Sequence, residues 1–504
     1  MKLKTNQNSM QFKHVLLFTL ILGLFGFQSG HSQTKKDSKP NIIFFFTDDQ
    51  SYDTMKDFGN KVTQTPNLDD LASNGVSFLR HYNTTAICMA SRANVMTGQY
   101  EYKTGCNFDH GSLGTKQWST SYPVLLKKAG YRVGFAGKFG FSISDTNGGW
   151  GEEGEVAKHD FDFWGGGSHQ TSYKTKENKY MVKYAEAYPH STRAYGAASI
   201  DFINESVEKG EPFCMSVFFK APHRPVQPDP MFDDVYKDVV FDKLPNYGRK
   251  AGEHLAKQSR MGRQYPRFVE WGYDKEDTYQ EALRKYNQLI YGVDYSIGMV
   301  LEQLKKLKID GNTIIIFSSD NGYFNGSHGF GSKVLPYEEG ARTPLIIVDP
   351  RQKNKAIKTS ALTGNVDITA TILDYAGVSV PEIYDGKSIR PLVENPNTQI
   401  RATLPIIQVW GPQATHCLTV MDDRFKYVYW YYKDEAENMY PTEELFDIKN
   451  DPYEMVNLAN QTKYKSKLTY MRKLYDKQLN HWKTEGVKYN GYEKYGALFK
   501  RALN

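Results

Sequence analysis

Apolar residues in this chain follow two rhythms, and their alternation predicts the architecture. Short unbroken apolar runs, Asn41–Phe46 (NIIFFF), Phe213–Phe219 (FCMSVFF), Thr313–Phe317 (TIIIF) and Leu345–Val348, read as strands buried on both faces. Arg132–Ala136 reads as another strand. Between them the spacing is helical. Thr65–Asn74 has Pro66 just inside its start and Leu68 and Leu71 three apart. Tyr122–Ala129 is helix-like. Tyr279–Leu307 repeats apolar residues at Leu283, Tyr286, Leu289, Ile290, Val293, Ile297, Val300, Leu301 and Leu304, one face of a long helix. Ala221–Pro230 holds four prolines and reads as loop.

Helices alternating with wholly apolar strands predict an α/β fold, a large, mostly parallel central sheet flanked by helices. The C-terminal part differs. His416–Val420 and Phe425–Trp430 are short strands near turns, and Lys463–Trp482 is helical. This predicts a smaller C-terminal α+β subdomain with a short antiparallel sheet, entered through Glu394–Arg401. The domains expected are residues 38–394 and 395–504.

Ahead of them, Lys2, Lys4 and Lys13 precede the apolar run Val15–Phe27, and Gly30-His31-Ser32 follows. This is the layout of a signal peptide over residues 1–32. The run is too short to cross about 30 Å of hydrocarbon as a helix, so the mature protein is expected to be exported, to periplasm or medium, without stable membrane insertion. Sixty-three basic against 57 acidic residues give +6, and removal of the leader leaves about +3. So small an excess argues against a nucleic-acid partner. The 35 tyrosines suit sugar stacking and suit a large core equally.

Chemistry gathers at strand ends. Asn41–Phe46 runs into Asp48-Asp49, and Thr313–Phe317 runs into Asp320-Asn321. In parallel sheets ligands bind beyond the carboxyl ends of strands. Adjacent carboxylates repel unless a cation sits between them. If the two strands are neighbours, four oxygen ligands meet, a set that favours Ca²⁺ or Mg²⁺ over zinc or copper. Each motif alone also reads as a capping or turn acid.

Cys88-Met89-Ala90-Ser91-Arg92 resembles the modification signature of the type I, formylglycine-dependent sulfatases. Pro40-Asn41-Ile42-Ile43 with Asp48-Asp49, Thr65-Pro66-Asn67-Leu68-Asp69, Met96-Thr97-Gly98, Gly137-Lys138 and Ala221-Pro222-His223 resemble that family in order. So do Ser319-Asp320-Asn321-Gly322, His328-Gly329 with Lys333, Arg342-Thr343-Pro344-Leu345, Asp385-Gly386-Lys387-Ser388 and Glu444-Leu445-Phe446-Asp447. The resemblance spans nearly the whole mature chain and looks like the bacterial enzymes that act on algal polysaccharides such as ulvan or carrageenan.

The resemblance implies an alkaline-phosphatase-like fold and hydrolysis of sulfate esters. A maturation enzyme would convert Cys88 to formylglycine, whose hydrate attacks sulfur; its second hydroxyl then expels sulfate. It implies a metal site, Ca²⁺ ahead of Mg²⁺, at Asp48, Asp49, Cys88, Asp320 and Asn321. Arg92 would hold the formylglycine, Lys138 and Lys333 would clamp sulfate oxygens, and His223 would serve the leaving oxygen. With Cys88 so used, Cys106, Cys214 and Cys417 allow at most one disulfide.

Two positions depart from the family pattern. Gly140 stands where a histidine serving the second hydroxyl is usual; His110, His159, His169 or water remain as substitutes. Ala90 stands where proline is commonest, a form some maturation systems convert less well. The segment from His223 to Tyr279, with Arg224, Arg249, Arg260, Arg263, Arg267, Trp271 and Tyr273, reads either as a cleft wall for a sulfated polysaccharide or oligosaccharide or as a basic solvated loop. The rival readings are a phosphate or phosphonate ester hydrolase of the same superfamily and a non-catalytic carbohydrate-binding relative.

Overall fold

The computed structural model describes residues 39–145, 157–167, 169–353, 355–431 and 441–501. The expected signal peptide lies outside them. No helix among the described residues is long and apolar enough to cross a membrane. In chain order the strands are β1 Asn41–Asp48, β2 Val76–Phe78, β3 His81–Tyr82, β4 Arg132–Lys138, β5 Phe163–Gly167, β6 Phe213–Pro222 and β7 Thr313–Ser319. They continue with β8 Leu345–Val348, β9 Ile357–Thr359, β10 Thr363–Gly364, β11 Leu404–Gln408, β12 Cys417–Met421, β13 Phe425–Trp430 and β14 Thr442–Asp447.

Eight strands form the main sheet in the order β5-β4-β6-β1-β7-β8-β2-β9. Only β8 runs against the others, so the sheet is mostly parallel. β1 lies between β6 and β7 and is parallel to both. Its alternation divides the core. Ile42, Phe44 and Phe46 face one apolar layer with the helices Cys88–Thr97, Tyr122–Lys128 and Val366–Tyr375. Ile43 and Phe45 face the other, with Pro66–Asn74, Ser191–Glu208 and Glu276–Leu307. Each fully buried side chain contributes about 1.5–3 kcal/mol. A continuous apolar run is therefore what a strand covered on both faces requires.

The strands run further than the apolar runs predict. β1 reaches Asp48, β4 reaches Lys138, β6 reaches Pro222 and β7 reaches Ser319. Each added end is polar or carries Pro, and each points toward the same edge of the parallel sheet.

The C-terminal strands form an antiparallel sheet in the order β11-β12-β13-β14. One face, with Leu418, Val420, Tyr427 and Tyr429, packs on Leu468, Met471, Tyr475 and Trp482 of the helix Lys465–Glu485. The other face, with Ile406, Val428, Trp430 and Phe446, packs on Phe324, Phe330, Leu335 and Tyr337. Those residues belong to the segment after β7 that carries Lys333. Buried Lys426 of β13 pins the same segment through Glu338 at 2.7 Å and Glu454 at 2.9 Å. All four cysteines are buried, and no disulfide joins any two of them.

Candidate functional site

The register of β1 and β7 places Thr47 opposite Ser319. The two acid pairs therefore leave the sheet side by side. Asp320 N donates to Thr47 O at 3.0 Å, and Asp49 N donates to Asp320 Oδ1 at 3.2 Å. Asp49 turns with φ 73°, a left-handed conformation uncommon outside glycine, which lets consecutive carboxylates face one point. Asn321 Nδ2 donates to Asp49 Oδ1 at 2.6 Å, while its Oδ1 is buried with no hydrogen-bond partner.

Cys88 is the first residue of the helix Cys88–Thr97, whose partly positive N-terminus faces these acids. Its thiol donates to Asp48 Oδ1 at 3.2 Å. Arg92, one turn on, is fully buried. Its Nε donates to Asp320 Oδ2 at 2.8 Å and its Nη1 to Lys138 O at 2.6 Å. Lys138 Nζ donates to Asp48 and, at 2.6 Å, to Gln170 Oε1. Lys333 Nζ donates to Asp49 and, at 2.7 Å, to Cys88 Sγ. His223, after the end of β6, has Nε2 3.8 Å from Asp49 Oδ2. Ligand atoms of Asp48, Asp49, Cys88 and His223 all lie within 4.8 Å of one another. The structure thus brings together the nine residues that the resemblance places at the metal and sulfate: Asp48, Asp49, Cys88, Arg92, Lys138, His223, Asp320, Asn321 and Lys333.

Three buried carboxylates, of Asp48, Asp49 and Asp320, face three buried cations, Arg92, Lys138 and Lys333. Burial works against the ionised form of Asp48, but Lys138, Arg92 and Lys333 together hold it well below the usual carboxylate range. Burial and the Asp48 charge push Asp320 up to about 7 against Arg92. Burial also raises Asp49 against Lys333. Burial and Asp48 push the Cys88 thiol up to about 12 despite both lysines. A thiol so protonated is a poor nucleophile at neutral pH. Burial keeps His223 well below its ordinary value. Its Nδ1 is committed to the Arg224 carbonyl, so neutral His223 presents a bare Nε2.

The donor set fits a hard divalent cation. The protein donors are carboxylate and amide oxygens, and the partnerless Asn321 Oδ1 is the state of an amide oxygen awaiting a metal. A separate cavity of about 350 Å³, lined by Tyr52, Asp53, Tyr247, Tyr279, Glu339 and Arg342, includes none of these residues.

Gly140 has a structural reason. Its φ is +84°, and an added Cβ would lie 2.7 Å from Arg92 Cδ. Arg92 occupies the room a side chain would need. His110 is taken up elsewhere, Nδ1 at 3.0 Å from Asn490 O and Nε2 at 2.7 Å from Val409 O. His169 precedes Gln170 in a tight turn with φ 50°. His159 lies in the short helix Ala157–Asp160. Two partners were not singled out from sequence, Gln170 and Lys220. Lys220, 4% exposed, donates to Gln170 O at 2.8 Å, so one glutamine bridges it to Lys138. Burial and the Lys138 charge pull Lys220 down to about 8. The available signal was a lysine inside an otherwise apolar strand, FFKAP.

The chain is similar to known proteins over most of its length. A profile described as Sulfatase matches residues 40–378, and one described as N-sulphoglucosamine sulphohydrolase, C-terminal, matches 326–482. The chain is 28% identical to an N-acetylglucosamine-6-O-sulfatase of Bacteroides thetaiotaomicron, over 93% of this chain and 90% of that one. It is 25% identical to an ulvan-active sulfatase of Formosa agariphila, over 85% of this chain and 77% of that one. A solved structure in complex with its substrate D-glucosamine-2-N,6-O-disulfate aligns with TM-score 0.72 and 25% identity, covering 90% of this chain and 99% of its own. A phosphonate monoester hydrolase of Agrobacterium radiobacter shares the fold at TM-score 0.70 and 19% identity, covering 88% of this chain and 96% of its own. With the family profile spanning β1 to the helix Val366–Tyr375, the chain belongs to the sulfatase family and is a sulfuric ester hydrolase.

Proposed function

We propose that the protein is an exported sulfatase that removes sulfate from a sulfated polysaccharide or its oligosaccharides, with ulvan the favoured polymer. Cys88 is converted to formylglycine by a maturation enzyme, and Ca²⁺ is held by Asp48, Asp49, Asp320, Asn321 and the modified residue 88. The observation that carries this reading is the convergence of three buried carboxylates and three buried cations on the first residue of one helix. Relatives named for N-acetylglucosamine-6-O-sulfate and for ulvan support a sulfated sugar as substrate.

Formylglycine would supply a geminal diol as nucleophile, and the cation would supply charge that the lysines alone cannot. The chain's own side chains do the rest. Arg92, locked by Asp320 and the Lys138 carbonyl, fixes the position of residue 88. Lys138 and Lys333 approach it from Gln170 and Asp49 and hold the sulfate oxygens as compact charges. His223 must take a proton on Nε2 before it can pass one to the leaving oxygen.

Intact mass and sulfate release test this together. Conversion lowers the mass of residue 88 by about 18 Da. Sulfate should be released from one of a panel of algal and animal polysaccharides, and Cys88→Ala should abolish release. Full activity in Cys88→Ala would refute the mechanism. Phosphate release without sulfate release would favour the phosphate-ester reading. Saccharide binding without either would favour the binding protein.

A further inference from the structure

The five arginines of the segment 223–279 separate into two groups. Arg260 Nη2 donates to Glu253 O and Leu255 O, both at 3.1 Å. Arg249 stacks 3.9 Å over Tyr265 and donates to its carbonyl at 3.3 Å. These two brace their own loops. Arg224, Arg263 and Arg267 do something else. Arg224 and Arg267 both lie 4.5 Å from the Trp271 ring. Arg263 lies 3.7 Å over Trp410. Among the described residues none of the three is in an ion pair.

All three border the reaction centre. Arg267 Nη1 donates to Ser332 Oγ at 3.1 Å, one residue before Lys333. Trp410 packs with Ile87, Ala90 and Val334, the neighbours of Cys88 and Lys333. Arg224 follows His223. Trp271 stacks on Tyr323 (6.1 Å, 2°), Tyr323 stacks on Tyr286 (5.9 Å), and Tyr286 Oη donates to Asp49 O at 2.6 Å. Asp109 is the acid that acts on Arg263, but its carboxylate accepts from Gly411 N at 2.6 Å and makes no pair with it. Burial and the Arg267 charge pull Arg263 down to about 10. Glu270 and Asp49 act on Arg267 from a distance without forming an ion pair. Partly buried like charges with no ion-paired partner are costly, and an incoming anion relieves that cost.

We infer that Arg224, Arg263 and Arg267, mounted on Trp271 and Trp410, form a subsite for a second anionic group, a sulfate or carboxylate next to the ester being cleaved. The inference rests on the sulfatase reading above and narrows its substrate to doubly anionic saccharides. The guanidinium forks bind the anion and the indoles line the sugar between the two charges. A neutral neighbouring residue would leave the arginines unpaired.

The test uses the substrate identified by sulfate release and the same oligosaccharide with its second anionic group removed, by carboxyl reduction or solvolytic desulfation. Removal should lower kcat/KM about 10- to 100-fold. Arg267→Gln and Arg263→Gln should shrink that ratio and flatten the dependence of KM on salt, with Arg267→Lys and Arg263→Lys in between. Tm values keep folding defects apart from binding. A best substrate with one anionic group, or an unchanged ratio in both Gln variants, overturns the subsite while leaving the sulfatase reading intact. Absence of sulfate release from every polymer overturns the sulfatase reading itself. In that case binding by the Cys88→Ala protein decides the subsite: equal affinity for singly and doubly anionic oligosaccharides would overturn it.

Discussion

Lys333 donates to Cys88 Sγ at 2.7 Å while also holding the Asp49 carboxylate. Burial opposes its charge, but Asp49, Cys88, Asp48 and Asp320 keep Lys333 above its ordinary value, so it is a fixed cation at any working pH. A cation so placed neutralises sulfate charge as it develops on the transferring group. Lys333→Met should therefore lower kcat by about 10²–10³, with KM changed less. Steady-state kinetics on the released-sulfate assay measure this, and more than about a tenth of parental kcat in a folded Lys333→Met protein would contradict the role.

Metal removal should cost stability as well as activity. Asp48, Asp49 and Asp320 are all buried within a few ångströms of one another, and their mutual repulsion is relieved by a divalent cation. Saturating Ca²⁺ at about 100 times its Kd contributes about 2.7 kcal/mol. Scanning calorimetry should show Tm falling on EGTA treatment and recovering with Ca²⁺, and Asp320→Asn should blunt the response. A Tm indifferent to chelation would remove Ca²⁺ from the site.

Restoring the family's histidine at position 140 should not help. The new Cβ would meet Arg92 Cδ at 2.7 Å on a backbone with φ +84°. Arg92 cannot retreat without losing Asp320 and the Lys138 carbonyl. Gly140→His should destabilise by about 1–3 kcal/mol and lower kcat. A rise in kcat would mean that the site lacks a base that this histidine supplies.

Much of this was legible in the chain because the same residues serve fold and site. An apolar run that ends in acids marks both a buried strand and the edge where ligands bind, so β1 with Asp48-Asp49 and β7 with Asp320-Asn321 could be read together. Lys220 was not read that way. A lysine within FCMSVFFKAP looks like the end of a strand, and only the paired register of β1 and β6, Asp48 opposite Pro222, shows that it stays inside. β8, Leu345–Val348, was legible as a strand but its reversed direction was not, and the three-residue strands β2 and β9 are too short to show a period. The helix Ser191–Glu208 was missed because Ala, Ser and Gly make much of its buried face. The division of the arginines depends on which carbonyls and rings they meet, and spacing along the chain carries no such information.

Glu339 gives a pH-dependent test of the segment that carries Lys333. Asn246 Nδ2 donates to its Oε1 at 2.5 Å, and its Oε2 is buried without a hydrogen bond, 3.9 Å from His328 Nε2. Burial, with the Glu338 and Asp53 charges, pushes it up to about 7. The folded chain then binds this proton more tightly than the unfolded chain, whose glutamates titrate near 4.3. Stability from the protonated form is fully present below that value and is lost as pH rises through about 7. Glu339→Gln keeps the neutral form at every pH. Its Tm relative to the parent should be nearly level at pH 4 and higher at pH 8, since only the parent then buries a charge. A Tm difference that does not change between those two pH values would show that Glu339 is ionised throughout.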